Sequence, residues 1–141
     1  MTTNSDKNAL PLASIPAVLW LLMQTLWLGA HITALLLFMP MLVRIGFAPM
    51  LLHEVNSHLR PALLVLTLMA VAVQMLVLVR SAGLAALIRQ LRGQLLLAIW
   101  FLALVLLLTA GIESALLRGL HGAMLGCGLL LFTQPIPQRV G

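Results

Sequence analysis

Few side chains in this sequence could do acid–base or ligand chemistry: four histidines, three acids and one cysteine, Cys127, in 141 residues. Two of the histidines lie inside apolar runs. His31 sits in "LWLGAHITALLLFMP", Leu26 to Pro40, and His121 in "ALLRGLHGAMLGCGLLLF", Ala115 to Phe132. A neutral imidazole in such surroundings can ligate haem iron or copper, or hydrogen-bond to a neighbouring helix. Read as a pair, His31 and His121 are candidate cofactor-binding residues, with haem or copper as the cofactor. Read singly, His31 is a polar packing residue that must find a partner within the protein.

Other chemistries are harder to build. "HEVNSH" groups His53, Glu54 and His58, but its second histidine falls at i+5 rather than i+4, so the pair does not share a helical face as a zincin HExxH does. A lone cysteine makes no intramolecular disulfide and no cysteine-based metal site in one chain, so Cys127 reads as a small buried thiol. There is no Gly-rich phosphate loop and no nucleophile elbow. With three acids the chain has little for hydrolytic work, and Glu113 reads as a neutralising partner for Arg118, Arg44 or Arg60. No catalytic residue is assigned, and an enzyme is not expected.

These groups need a scaffold, and the composition defines it. The chain is 62% hydrophobic and 8% charged, with a mean hydropathy of +1.14. A soluble domain needs far more charged surface, so this is a membrane protein. The net charge of +5 is spread singly near the ends of apolar runs. It reads as topology signals and contacts with anionic headgroups, not as a nucleic-acid surface. The expected partners are the lipid bilayer, and other membrane subunits or a second copy of the chain.

A spanning helix needs about 20 mainly apolar residues. Four segments fit: Pro16 to about Met41, Pro61 to Val79, Gln94 to Ile112, and Ala115 to Phe132. The first two open on proline, which suits a helix start. The fourth is Gly-rich and carries Arg118 near its beginning, where the side chain can snorkel to the interface. The prolines of "TQPIPQRVG" close it. The expected organisation is a polar tail over 1–15, one four-helix membrane domain over 16–134 and a tail over 135–141. The first run is too long for a cleavable signal sequence and is read as retained. The fold class is all-α, a four-transmembrane-helix bundle with a short interfacial helical stretch between helices 1 and 2. In the 80–93 loop, Leu84, Leu87, Ile88 and Leu91 share a face that could lie among headgroups. Lys7, Arg80, Arg89, Arg92 and Arg139 fall on one side, and Arg44, Arg60 and Arg118 on the other. That bias places both termini in the cytoplasm of an inner-membrane protein.

Helical spacing sorts the remaining polar and small residues. Gln24, Trp27 and His31 recur at i, i+3 and i+7, a face extended by Trp20 and Phe38. Thr67 and Gln74 repeat the i, i+7 spacing on the second helix. Gly122 and Gly126 form a GxxxG, and Gly29 with Thr33 a second small-residue pair, both of the kind that lets helices approach closely. With Pro40 as the helix end, His31 lies about 14 Å inside the membrane surface.

The segments "LWLGAHITALLLFMPML", "APMLLHEVNSHLRPALLVL" and "RGLHGAMLGCGLLL" together resemble the DUF4149 / TMEM205-like integral membrane proteins. The matching positions are Trp27, Gly29, Pro40 and the pair His121-Gly122. The resemblance covers most of residues 17–132 and implies a four-helix membrane protein of undefined activity. The first helix is also similar to CopD-type copper proteins and to the four-helix HemJ protoporphyrinogen oxidases, although the intramembrane lysine of the latter has no counterpart here. This second likeness implies a haem- or copper-binding redox role through His31 and His121. Three functions are therefore carried forward: a non-enzymatic accessory or small-solute/ion permeation factor, a haem or copper redox protein, and a structural subunit of a larger membrane complex.

Overall fold

A computed structural model describes residues 15–109, 112 and 114–134. The N-terminal tail, Glu113 and the Pro135–Pro137 stop lie outside the described residues. Among those residues there are helices and no strands. They are α1 (Ile15–Thr33), a π-helical turn (Ala34–Phe38), α2 (Met39–Ile45), α3 (Pro49–Ala82), α4 (Ala85–Arg89), α5 (Leu91–Leu108) and α6 (Ala115–Thr133). They make four continuous spans: Ile15–Ile45, Pro49–Ala82, Leu91–Leu108 and Ala115–Thr133, each long and apolar enough to cross a membrane. The protein has the architecture of a multi-pass membrane protein.

Two prolines behave differently from the sequence expectation. Pro40 does not end the first helix. It sits near the start of α2, which continues to Ile45. Proline brings no N–H for the usual i−4 bond, and the preceding turn widens: Met39 N–H bonds the carbonyl of Ala34, five residues back. The helix stops instead at Gly46, whose φ of 87° is left-handed and suits only glycine. Pro61 likewise does not open the second span, because α3 begins at Pro49 and runs through Pro61 to Ala82. One missing backbone bond is tolerated there, since ending the helix in an apolar setting would orphan several more polar groups. The helical stretch between the first two spans is therefore built from α2 and the early turns of α3, continuous with the spans themselves.

The spans follow one another around the bundle. The first lies along α3, α3 along α5, and α5 along α6, while α6 meets α1 over a shorter stretch. The core holds Trp27, Leu64, Val71, Leu96, Ile99, Ala103 and Met124, all fully buried. In lipid, helices gain little from hydrophobic burial against each other, so packing and hydrogen bonds decide their register. Gln74 Nε2 donates to Gln24 Oε1 at 2.7 Å, and Gln24 Nε2 donates to the Gly128 carbonyl at 2.9 Å. This chain of amides ties α1, α3 and α6 at one level. At that level a methyl on Gly128 would sit 2.5 Å from Trp27 Cη2, so only glycine admits the indole. At the opposite end from the α2–α3 connection, α4 turns back onto α5 so closely that a side chain on Gly93 would overlap the backbone of Leu87 and Ala86.

Candidate functional site

The site begins with His31. Its Nδ1 lies 2.9 Å from the carbonyl of Trp27, one turn earlier on α1. A carbonyl only accepts, so Nδ1 carries the proton and Nε2 of the neutral ring carries the lone pair. His31 is fully buried, and its Nε2 has no partner among the described residues. The Trp27 ring meets it edge-on, with centroids 6.1 Å apart and planes at 82°. On the other side is His121, two turns into α6, with ring centroids 5.3 Å apart and planes at 44°. Its Nδ1 is also buried without a partner among the described residues.

The two rings form part of the wall of a cavity of about 660 Å³ between α1, α3 and α6. The cavity is half-open, and its lining extends from His31 toward Met39 and Asn56, near the α2–α3 connection. Arg60 and Asn56 reach it from α3, and Arg118 and Ser114 from the start of α6. Ser114 caps α6 by accepting from the Leu117 N–H at 3.2 Å, which leaves its own O–H available as a donor. Leu35, Leu63 and Leu125 supply apolar wall, Leu35 from the π-helical turn. No acid lines the cavity among the described residues. A shallower groove of about 570 Å³ adjoins it at Leu35, Met39 and Asn56 and extends to His53.

The groups that line the cavity are suited to recognition. Two guanidinium groups, an amide and a hydroxyl offer N–H and O–H donors, and His31 offers one lone pair. Among the described residues no three His, Cys, Asp or Glu side chains gather as a metal site, so any metal would rest on two imidazole nitrogens. That donor set fits two-coordinate copper(I), with the two arginines opposing further positive charge. A haem iron held between the imidazoles needs its nitrogens about 4 Å apart across a macrocycle, at a metal–nitrogen distance of about 2.0 Å. Rings 5.3 Å apart and tilted by 44° would have to separate and turn to admit one.

The structure brings His31 and His121 together, and it buries Gln24, Trp27, Thr67 and Gln74 as the helical spacing predicts. Thr67, however, hydrogen-bonds within its own helix, to the Leu63 carbonyl at 2.9 Å. The small-residue faces do not seat helices within the chain. A Cβ added at Gly29, Gly122 or Gly126 meets nothing within 4 Å, and the close approach occurs at Gly128. Gly122 instead lines the cavity. Pro40 is exposed and interior to a helix. His53 and His58 are exposed on α3, where His58 leans back on Glu54, 3.7 Å from its carboxylate. Sequence reasoning took Arg60 and Arg118 as topology signals and passed over Asn56 and Ser114. The available signal was that Arg60, Arg118 and His121 all stand at one end of their spans, the end that His31 approaches.

Comparison with protein-family models, curated proteins and solved structures finds no match to this chain. The DUF4149 / TMEM205-like resemblance accordingly stands on the quoted residues alone.

Proposed function

We propose that this is a small, non-enzymatic inner-membrane protein that holds a small solute in the His31–His121 pocket and acts as an accessory or permeation factor, with both termini in the cytoplasm. The observation that carries the reading is the convergence of polar groups from three spans on one half-open cavity in an otherwise apolar bundle. Polar and charged groups are expensive at membrane depth and mark ligand paths there. Beneath the pocket Trp27 and the Gln24–Gln74 pair fill the interior. The occupant is therefore bound from one side, and passage to the other would require the α1–α6 seam to open.

Gly122→Leu tests this reading, because Gly122 lines the cavity and a Cβ added there meets nothing within 4 Å. Native mass spectrometry of the purified protein should show a bound small molecule that the variant lacks. If no compound, retained or added, distinguishes wild type from Gly122→Leu, the reading fails.

A second reading is favoured by one contact, the pairing of His31 with His121. On it the two imidazoles hold haem or copper, and Arg60 and Arg118 face the propionates of a haem. Purified protein would then show a Soret band or stoichiometric copper, lost in both His31→Ala and His121→Ala. Protein with neither signal would eliminate it.

A further inference from the structure

We infer that the pocket recognises a phosphoryl group; this rests on the reading of the cavity as a binding site and specifies its ligand. Arg60 and Arg118 belong to different helices, α3 and α6, that do not pack on each other directly, and both reach the same cavity. Arg118 is exposed and Arg60 half-buried, and both line one cavity, so the cavity carries two positive charges that an anion would neutralise. No acid lines the cavity among the described residues.

The number of donors selects among anions. Each guanidinium carries five N–H groups, Asn56 two and Ser114 one O–H. A carboxylate has two oxygens in one plane and can face one arginine fork well. A phosphoryl group presents two or three unesterified oxygens in a tetrahedral array, out of one plane with its ester oxygens, and can face two forks from different directions. His31, fully buried, forms part of the wall beside these donors, and its Nε2 has no partner among the described residues.

The phosphoryl group can come from a free phosphate compound or from a phospholipid headgroup, since the pocket opens near one end of the spans. The full chain in a phosphate-free nonionic maltoside detergent distinguishes these sources. Inorganic phosphate, compared with chloride at matched ionic strength, should raise the melting temperature of wild type and of Arg89→Gln, whose arginine lies on α4 away from the pocket. Arg60→Gln, Arg118→Gln and Gly122→Leu should each weaken the phosphate response about tenfold or more, as expected for a lost charge-assisted hydrogen bond. If phosphate is silent but phosphatidylglycerol stabilises the protein and is retained in native mass spectra, and both effects vanish in the arginine variants, the source is a lipid headgroup and the inference stands. Should Arg60→Gln fold poorly, Arg60→Lys keeps the charge without the fork and should fold with weakened binding. Responses to phosphate and phosphatidylglycerol that are absent, or indifferent to both arginines, overturn the inference. The pocket reading survives that result if a neutral solute binds and Gly122→Leu abolishes it, and falls if Gly122→Leu alters no binding.

Discussion

The side-chain amide of Gln24 donates a 2.9 Å hydrogen bond to the backbone carbonyl of Gly128, across the seam between α1 and α6. The same glycine receives the edge of Trp27. One residue of α6 thus supplies both an acceptor and the absence of a side chain, and the pocket lies immediately above this junction.

Gly128→Ala should therefore destabilise the protein by about 1–3 kcal/mol, the range for overpacking a filled site. Gly126→Ala should be near neutral, because a methyl there enters open space. Equilibrium unfolding in mixed micelles measures both. Equal losses at the two positions would mean that α1 approaches α6 elsewhere.

The glutamine pair should behave as one unit. Gln24→Leu and Gln74→Leu each remove the 2.7 Å amide contact, and interhelical hydrogen bonds of this kind contribute about 0.6–1.7 kcal/mol. The double variant should lose less than the two single variants added together, because the shared contact can be lost only once. Strict additivity in a double-mutant cycle would show that the amides do not meet.

His31→Ala should lower stability by about 1–3 kcal/mol, since it removes a fully buried ring packed between Trp27 and His121. His121→Ala should cost less, because that side chain is only partly buried and borders the cavity. Unchanged thermal stability in His31→Ala would remove it from the packing of the bundle.

Orientation can be read with single cysteines in a Cys127→Ala background. Ser57 and Ala85 are exposed at opposite ends of the bundle. A membrane-impermeant maleimide applied to cells with a permeabilised outer barrier should label Ser57→Cys and spare Ala85→Cys. The reverse pattern would place the termini outside the cytoplasm.

Much of this fold is legible in hydropathy and helical spacing. The third and fourth spans fall within a few residues of their apolar runs, and Gln24, Trp27 and His31 are buried together because residues at i, i+3 and i+7 share a face. Pro40 and Pro61 mislead because local rules treat proline as a boundary, whereas an apolar environment penalises every additional broken backbone bond. Gly122 and Gly126 seat no helix within this chain, and the face they share is left to the second copy that the motif equally suits. The motif records spacing along α6, but whether that face meets a helix depends on where Trp27 projects from α1. That Arg60 and Arg118 line one cavity is tertiary, and no pattern within either helix encodes it.

The four spans are unequal, and the inequality falls on one side. Measured from the Gln24–Gln74–Gly128 junction, α6 reaches its start at Ala115 after 13 residues, whereas the first span runs 21 to Ile45 and the second 25 to Pro49. The longer pair thus extends roughly 12–18 Å further at 1.5 Å per residue. That is comparable to a headgroup layer, given about 30 Å of hydrocarbon in a bilayer about 40–45 Å thick overall. The pocket's lining lies along this step, from Asn56 and Arg60 on the longer hairpin to Ser114 and Arg118 at the start of the short fourth helix. The polar groups of the pocket are thus gathered at one level of the bundle, where the fourth helix begins, rather than spread along its length.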